Sequence, residues 1–454
     1  MSTKQKQLSI GMNILGFGSH SAAWRAAEVP PDSLTNIEYF RNIARISEQR
    51  GTLDAIFLAD GVASGGDVAK HGAGRPEPTV LLTAIAAATT RIGVISTVST
   101  SYNEPYNVAR RIASIDHISG GRAAWNLVTG ATDAAAQNFS RTHTLQHAER
   151  YERADEFANV VLKLWDSWED DAIIGDAEKG IFANPDKVHE INHHGKHFSV
   201  KGPLNLPRSP QGRPLVVQAG SSEDGKAVGS RYADAIFTTQ TTLEDGQAFY
   251  REMKLRAKNW GRNPDHIKIM PGLSTVIGST EAEAHARFDR LNDFIGEEGL
   301  LRQISARTGI PVNQLDPDGP LPLSQLGPRP DYNPSHGFLE AQINLARREH
   351  LTIRQLARRI LVGHRLLVGT PEQVADTIEH WFRVGAADGF NIMPDVFPSG
   401  VEAFVDGVVP ILRQRGIFRH TYSGATLREH LGLPYPTGRY RQPQLQQLAD
   451  AVAA

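Results

Sequence analysis

The 454-residue sequence contains no cysteine. This absence excludes disulfide bridges, thiolate metal sites and cysteine nucleophiles, although a chain without disulfides can fold in any compartment. Long apolar runs are also absent, because no uninterrupted run reaches the roughly 18 residues that a membrane-spanning helix needs. The first residues, MSTKQKQ, lack the apolar core of a signal peptide. We therefore expect a cytoplasmic protein that makes no use of a membrane.

The chain also has no large excess of positive or negative charge. The 48 basic and 50 acidic residues leave a formal net charge of -2. Such a balance provides no electrostatic attraction for nucleic acid or for an anionic membrane surface. Apolar residues make up 40% of the chain, which is enough to bury one large core or two smaller ones. We expect a globular protein whose partners include no nucleic acid.

Short apolar runs alternate with segments of helical periodicity along most of the chain. The apolar runs predict strands at 8–17, 55–58, 92–98, 122–128, 215–218, 235–237, 267–277 and 389–393. The periodic segments predict helices at 36–50, 80–89, 106–118, 147–168, 225–232, 245–260, 281–294 and 371–384. Alternation of this kind is typical of a parallel sheet. Eight repeats favour a single closed (β/α)8 TIM barrel over an open doubly wound sheet.

Three stretches fall outside this alternation. The first, at about 170–213, is rich in Gly, Pro, Asn and His and contains a hairpin-like segment at 197–203. The second, at about 296–361, has a proline-rich middle. Long insertions in a compact domain usually serve as lids or binding loops. We expect the C-terminal extension, 419–454, to wrap the surface or a partner subunit.

The strand predicted at 215–218 leads into Gly220-Ser221-Ser222 and then into a predicted helix. Backbone N–H groups at the start of a helix lack intrahelical partners, and the helix dipole adds positive potential there. In barrels, phosphate sites commonly lie near the seventh or eighth unit, and this segment lies late in the chain. The pattern therefore predicts a cradle for a phosphorylated cofactor.

Polar residues follow several of the predicted strands, where a barrel places its active-site mouth. They include Asp60 after the second strand, and Asn126 and Thr129 at the fourth; others are Thr97, Thr239 and Gln240. Neutral amide and hydroxyl groups are suited to hydrogen-bonding a large heteroaromatic ring. Each residue could instead only cap the next helix. Their occurrence at four strand ends favours a binding role.

His147 and Tyr151 are four residues apart at the start of a predicted helix, so they share one face. Both side chains could reach the same ligand. The alternative is a solvated face of Glu/Arg pairs, which suits Glu149 and Arg153 better than it suits His147 and Tyr151. We favour a functional role for His147 and Tyr151.

Motifs for other chemistries are incomplete. His143 and His147 lack the glutamate of a His-Glu-x-x-His zinc site, and the histidines at 193–197 lie in a loop without nearby carboxylates. We therefore expect no metal site. The segment 220–225 is not a Gly-x-Ser-x-Gly elbow, and 16–18 lacks the third glycine of a dinucleotide fingerprint. A serine hydrolase and a Rossmann dehydrogenase are both disfavoured.

Taken together, these segments resemble the bacterial-luciferase-like flavin monooxygenases. The similar branch contains nitrilotriacetate, EDTA and dibenzothiophene sulfone monooxygenases, and the likeness covers nearly the whole chain. The most specific segments are HSAAWR at 20–25, FLAD at 57–60, SGGRAAWNLVT at 119–129, ERYERADE at 149–156, LWDSW at 164–168, HFSVKG at 197–202, QAGSS at 218–222 and VGTPEQVA at 368–375.

The resemblance implies a TIM barrel that binds FMN as FMNH2, delivered by a separate NAD(P)H:flavin reductase. It implies that O2 reacts through a C4a-(hydro)peroxyflavin to oxygenate a small organic compound, by C–N or C–S cleavage or by hydroxylation. It also implies a homodimer or homotetramer. Two alternatives stay open: an F420-dependent hydride-transfer enzyme on the same barrel, and a non-catalytic flavin-binding protein.

The resemblance also assigns expected roles by position. The isoalloxazine would be bordered by Asp60, Thr97, Asn126 and Thr129, the ribityl-phosphate by Tyr151 and His147, and the phosphate by Ala219, Gly220, Ser221 and Ser222. The substrate side would be lined by Trp24, Phe57, Thr239, Gln240 and Met393, with the second insertion as a lid. His20 is the candidate catalytic residue, because a histidine can change its charge near pH 7. The alternative for His20 is a buried histidine with a purely structural role.

Overall fold

Eight parallel strands form a closed barrel in the computed structural model, which describes residues 6–63, 74–326, 336–359 and 363–440. The strands are β1 (Ser9–Asn13), β2 (Ala55–Leu58), β3 (Gly93–Ser99), β4 (Ala123–Val128), β5 (Leu215–Ala219), β6 (Ala235–Thr238), β7 (Lys268–Ile277) and β8 (Gly389–Pro394). Each strand pairs in parallel with the next one in the chain, and β8 pairs with β1 to close the cylinder. The predicted TIM barrel is confirmed.

The strand ends agree with the predicted ones to within one residue, except at β1. β1 ends at Asn13, four residues before the predicted end. The chain turns there because Gly16 and Gly18 take positive φ angles of 61° and 145°, which glycine adopts readily. The N–H of Gly18 donates to the carbonyl of Leu15 and closes this turn.

Eight main helices cover the barrel, in the predicted order. They are α1 (Ile37–Arg45), α2 (Pro78–Ala88), α3 (Pro105–Ser119), α4 (His147–Trp165), α5 (Glu223–Tyr232), α6 (Leu243–Asn259), α7 (Glu281–Thr308) and α8 (Pro371–Arg383). Their starts follow ordinary capping rules: Thr370 and Gln373 form a capping box on α8, and α2, α3 and α8 begin with proline. After β8 the chain forms helical segments from Ser399 to Gln414. Within the described ranges, no helix combines the length and apolarity needed to cross a membrane.

The first insertion forms two small antiparallel pairs. Ile173–Asp176 pairs with Ile181–Ala183, and His193–His194 pairs with Ser199–Val200. The second pair lies at 193–200 and not at the expected 197–203. The reason is the carboxylate of Glu156 on α4, which accepts from the N–H groups of residues 197 and 198 and holds the turn between the two short strands.

The second insertion begins inside a helix. α7 continues beyond its predicted end at residue 294, with a kink at Gly296, where φ is 70° and ψ is 165°. Two helices, His336–Glu349 and Ile353–Arg359, follow, and the strand Arg365–Gly369 pairs with the outer half of β7. The insertion has its own apolar cluster, which includes Leu300, Ile304, Ile310, Leu321, Leu351 and Leu356. Residues 327–335 and 360–362 of this region lie outside the described ranges.

The C-terminal extension closes the bottom of the barrel, so the expectation that it wraps the surface or a partner was wrong for residues 427–433. Leu427 is fully buried and packs with the first residues of the strands, including Ala55 and Leu215. A Cβ on Gly93 would come within 2.6 Å of a Leu427 methyl group, so this glycine leaves the space that the leucine fills. Small residues at the strand starts therefore create a cavity that the chain's own tail occupies. Residues 441–454 lie outside the described part.

Candidate active site

The predicted phosphate cradle forms the turn between β5 and α5. Ala219 ends the strand, Gly220 and Ser221 make the turn, and Ser222 is the N-cap of α5. The Ser222 hydroxyl accepts from the N–H of Gly225 at 3.2 Å. The first turn of the helix therefore presents its N–H groups and the positive end of its dipole beside small side chains.

A second helix contributes to the cradle from the side. The hydroxyl of Tyr151, on α4, lies 3.4 Å from the position that a Cβ on Gly220 would take, and 3.3 Å from the corresponding position on Gly225. The His147 ring packs on the Tyr151 ring with centroids 4.8 Å apart, and its Nδ1 lies 2.9 Å from a carboxylate oxygen of Asp224. The structure thus brings both residues predicted on α4 to the start of α5.

The carboxylates in the first turn of α5 are paired, so they do not leave the cradle strongly negative. Asp224 faces His147, as described above. Glu223 forms ion pairs with Lys226 at 3.0 Å and with Arg256 at 2.6 Å. These contacts direct the acidic groups toward neighbouring cations. The cradle remains suited to a phosphate.

A chain of side-chain hydrogen bonds leads from the cradle to the end of β6. The hydroxyls of Ser221 and Thr238 lie 3.2 Å apart, and the amide of Gln240 donates to the Thr238 hydroxyl at 3.0 Å. Gln240 and Thr238 are buried. The predicted phosphate residue Ser221 and the predicted substrate residue Gln240 therefore belong to one connected group.

Thr97 and Asn126 occupy adjacent positions on β3 and β4 and point into the barrel mouth. They lie in register, and the Asn126 amide donates to the Thr97 hydroxyl at 3.0 Å. Both side chains are buried, and the Asn126 Oδ1 has no hydrogen-bond partner among the residues that the structure describes. A buried acceptor without a partner is costly, so this oxygen is suited to an N–H donor of a bound ring.

Asp60 and Thr129 follow β2 and β4, on either side of the Thr97 strand. Both side chains are half-buried. Burial raises the pKa of Asp60 above its ordinary range, and the positive charges of Arg75 and Arg111 oppose this shift. The four residues predicted to border a heteroaromatic ring thus lie at the ends of three neighbouring strands.

His364 enters the barrel mouth from the second insertion, and the sequence reasoning missed it. Its ring stacks on Phe237 with centroids 4.8 Å apart, and its Nδ1 lies 3.4 Å from the Thr239 hydroxyl. Phe237 also packs against Phe57, at 5.3 Å. Of the predicted substrate residues, Thr239 therefore contacts this histidine directly, and Phe57 is connected to it through Phe237. The available signal was Gly272 within β7, because an isolated strand glycine often marks a close approach.

The chemical state of His364 follows from its burial. Burial lowers its pKa to about 4, and a hydrogen bond to the backbone of Thr238 only partly opposes this shift. The imidazole is therefore neutral near pH 7. A neutral imidazole can donate one hydrogen bond and accept another at the mouth of the barrel.

Known proteins are similar to this chain in both architecture and sequence. The family profile described as "Luciferase-like monooxygenase" matches residues 17–388. The chain belongs to the luciferase-like monooxygenase family. It is therefore an enzyme, a monooxygenase of the luciferase-like, flavin-dependent type, as the sequence resemblance implied.

The similarity to individual family members extends over almost the full length. N-acetyl-S-(2-succino)cysteine monooxygenase of Bacillus subtilis (strain 168) is 45% identical over 443 residues, 97% of this chain and 100% of that protein. Nitrilotriacetate monooxygenase component A of Aminobacter aminovorans is 45% identical over 453 residues, 96% and 99% of the two chains. A crystal structure of a riboflavin lyase with modified FMN and riboflavin aligns with a TM-score of 0.83 at 35% identity. The alignment covers 97% of this chain and 99% of the lyase chain.

In this luciferase-like monooxygenase, His20 lies away from the cradle, against α7. Its Nδ1 accepts from the N–H of Ala22 at 3.1 Å, and its Nε2 lies 3.4 Å from Oδ1 of Asn292. Burial lowers the pKa of His20 to about 4, and the contact with Asn292 only partly opposes the shift. Its catalytic role stays a prediction, and the lowered pKa favours a neutral hydrogen-bonding group over an acid that titrates near pH 7.

The other two predicted substrate residues lie in different surroundings. Trp24 is 38% exposed and lines a cleft of about 720 Å³ between the segment after β1 and the kinked part of α7. Arg25 and Arg302 line the same cleft. Met393 is buried within β8 of the luciferase-like monooxygenase, and its carbonyl accepts from the Ser19 hydroxyl at 2.9 Å. The lining of the cleft beside Trp24 does not include Phe57, Thr239 or His364.

Proposed function

We propose that this enzyme binds FMNH2 supplied by a separate NAD(P)H:flavin reductase and uses O2 to oxygenate a small organic compound. The observation that carries the proposal is that the Gly220–Ser222 turn at the start of α5 and a buried Asn126 oxygen, which has no partner among the described residues, lie on neighbouring strands. Two relatives add support: one is named "component A", and the riboflavin lyase structure contains modified FMN. A homodimer or homotetramer and a cytoplasmic location belong to the same proposal.

The phosphate of FMN would be held at the start of α5. Backbone N–H groups of the first turn, the Ser221 and Ser222 hydroxyls and the Tyr151 hydroxyl are the donors available there. Because Gly220 and Gly225 carry no side chain, the space next to the Tyr151 hydroxyl is left open. His147 would lie beside the ribityl chain, since its ring packs on Tyr151.

The ring of FMN would be held by the ends of β2, β3 and β4. The Asn126 Oδ1 is available as an acceptor for a ring N–H, and the bond from its amide to Thr97 fixes the orientation of the side chain. Asp60 and Thr129 would border the same ring. FMN in its reduced form supplies the electrons with which O2 is activated.

The protein's part in the reaction is to position the substrate, exclude water and avoid an untimely proton donor. His20 and His364 are neutral near pH 7 because burial lowers the pKa of each to about 4. A strong acid at the site would favour the release of hydrogen peroxide over oxygenation of the substrate. Neutral hydrogen-bond donors avoid this side reaction. The second insertion, which carries His364, would act as the lid.

The substrate chemistry is C–N cleavage, C–S cleavage or hydroxylation. The names of the two relatives at 45% identity denote a thioether and an amine that both carry carboxylates. We therefore place carboxylated amines and thioethers first among the substrates to test.

An anaerobic titration with FMNH2 tests the proposal, followed by admission of O2 with each compound. The expected result is saturable binding of FMNH2, and O2 uptake that yields oxygenated product with little hydrogen peroxide for the true substrate. F420 provides the comparison. Binding of F420 without binding of FMNH2 would replace the proposal with a hydride-transfer function.

A further inference from the structure

A second polar cleft, of about 750 Å³, opens between the first halves of α3 and α4 and the loops that follow β3 and β4. None of the residues that line this cleft belongs to the cradle, which consists of residues 219–225 with His147 and Tyr151. Its volume is within the range of small-molecule sites. None of the roles described above uses this cleft.

The charge of the cleft is strongly positive, in a chain whose net charge is -2. Four arginines, Arg110, Arg111, Arg141 and Arg153, line it together with a single carboxylate, Glu104. Arg111 has a further carboxylate, that of Glu77, at 3.9 Å. Burial lowers the pKa of Arg153; the negative charges of Glu104 and Glu156 oppose this shift, and the positive charge of Arg141 adds to it.

Three residues of this lining hold buried donor atoms without a partner. Within the described part of the chain, the Tyr102 hydroxyl, the Arg111 Nε and the Arg153 Nη1 make no hydrogen bond. Two of these three atoms can only donate. A ligand that consists of acceptors, such as a phosphate or carboxylate group, would satisfy all three.

The donors are held in place before any ligand arrives. Arg111 donates to the Asn103 side chain at 2.6 Å, and the Arg153 guanidinium stacks over the Phe198 ring at 4.3 Å. The Tyr102 ring stacks on Phe139, with centroids 4.6 Å apart and an interplanar angle of 11°. Such preorganisation reduces the entropy lost on binding.

The start of α3 adds to the positive potential. Glu104 is the N-cap of this 15-residue helix, and its side chain makes no capping hydrogen bond. The N–H groups of the first turn are therefore not capped by that residue, and they lie beside the arginines. This feature strengthens an anion site that the side chains already define.

We propose that this cleft binds a small polyanion through its phosphate or carboxylate groups, as a site distinct from the flavin cradle. The chemical requirement is a cluster of acceptor oxygens with at least two negative charges. Arg141 and Arg153 would supply the charge, and Tyr102 and Arg111 the directed hydrogen bonds. The proposal does not depend on the proposed flavin function.

Calorimetric titration of the full chain with pyrophosphate and with citrate tests the proposal. The protein is first saturated with FMN, so that the cradle is filled; the Ser222→Asp variant without FMN is used in a parallel arm. We expect binding that weakens about tenfold in Arg141→Gln, and with added salt, because a charge contact is lost or screened. The ratio of the pyrophosphate and citrate affinities shows whether phosphate or carboxylate is preferred.

Arg383→Gln is the matched control, since Arg383 lies on α8 and pairs with Glu379 outside the cleft. It should bind both anions as the parent protein does. Equal weakening in Arg383→Gln and Arg141→Gln would overturn the proposal. Absence of binding at millimolar anion would overturn it too, as would binding that disappears once FMN is present. An unchanged cleft affinity in a protein that fails to bind FMN would contradict the flavin function alone.

Discussion

The imidazole of His364 lies directly against the backbone of Gly272, where a Cβ atom would come within 2.7 Å of the imidazole Cγ. Gly272 lies in the middle of β7, and His364 arrives from the second insertion, more than 90 residues later. The absence of a side chain at one strand position therefore determines whether the insertion can place a polar ring in the barrel mouth. The contact joins the chain that follows the second insertion to a barrel strand.

Gly272→Ala should destabilise the protein and displace His364. Overpacking of this kind costs about 1–3 kcal/mol in the free energy of unfolding, because neither the strand backbone nor the stacked ring can move freely. The measurement is urea unfolding of Gly272→Ala, His364→Ala and the double variant. We expect the double variant to be more stable than the sum of the two single effects predicts, because the clash is absent when both changes are present. Additive effects would contradict the contact.

Ser222→Asp should weaken FMN binding by at least about tenfold, which is about 1.4 kcal/mol, because the new carboxylate repels the phosphate. Ser222→Asn is the matched control. Asp and Asn are both favourable N-cap residues, so both variants should keep α5 capped and folded. The measurement is fluorescence titration with FMN, together with thermal unfolding of each variant. Equal FMN affinity in the two variants would remove Ser222 from the phosphate site.

Leu427→Ala should destabilise the barrel from its lower end. Leu427 is fully buried against the strand starts, so its truncation should lower the free energy of unfolding by about 2–5 kcal/mol. Leu255→Ala makes the same chemical change on α6 at a side chain that is 59% exposed, and should change stability by less than about 0.5 kcal/mol. Urea unfolding provides both values. Similar values for the two variants would show that the tail does not close the barrel in solution.

The contribution of three buried histidines to stability should fall as the pH is lowered from 6.5 towards 4. Burial lowers the pKa values of His20, His364 and His430 to about 4, so the unfolded chain binds more protons than the folded one across this window. Asp116 acts in the opposite direction, because burial raises its pKa to about 6 and the folded state then binds the extra proton. Burial also raises the pKa values of Asp54, Asp60 and Asp395, so the histidine contribution is obtained by comparing a histidine variant with the parent protein.

Thermal unfolding at a series of pH values measures this effect. His364→Phe preserves a ring that can stack on Phe237 but removes one titrating group. The unfolding free energy of the parent protein minus that of His364→Phe should therefore fall between pH 6.5 and 4, by up to about 1.4 kcal/mol per pH unit. A slope identical to that of the parent protein would contradict the lowered pKa of His364.

The barrel and the cradle were predictable from the sequence because both depend on local patterns. Short apolar runs and helical periodicity identified all eight strands, with ends close to those of the structure except at β1. The cradle could be predicted because a strand, a Gly-Ser-Ser turn and a helix start are consecutive in the chain. His147 and Tyr151 were recognised for the same reason, since their spacing alone places them on one face.

Features that join distant parts of the chain were decided only by the tertiary structure. No pattern around His364 predicts that its ring stacks on Phe237. No pattern around Leu427 predicts that it fills the space beside Gly93 at the bottom of the barrel. The arginine-lined cleft likewise combines α3 and α4 with two separate loops. Periodicity shows which face of a segment is buried, whereas the identity of its neighbour depends on how the barrel closes. The sequence alone therefore determined the architecture and the strand, turn and helix start around Gly220–Ser222, and the folded chain decided what surrounds them.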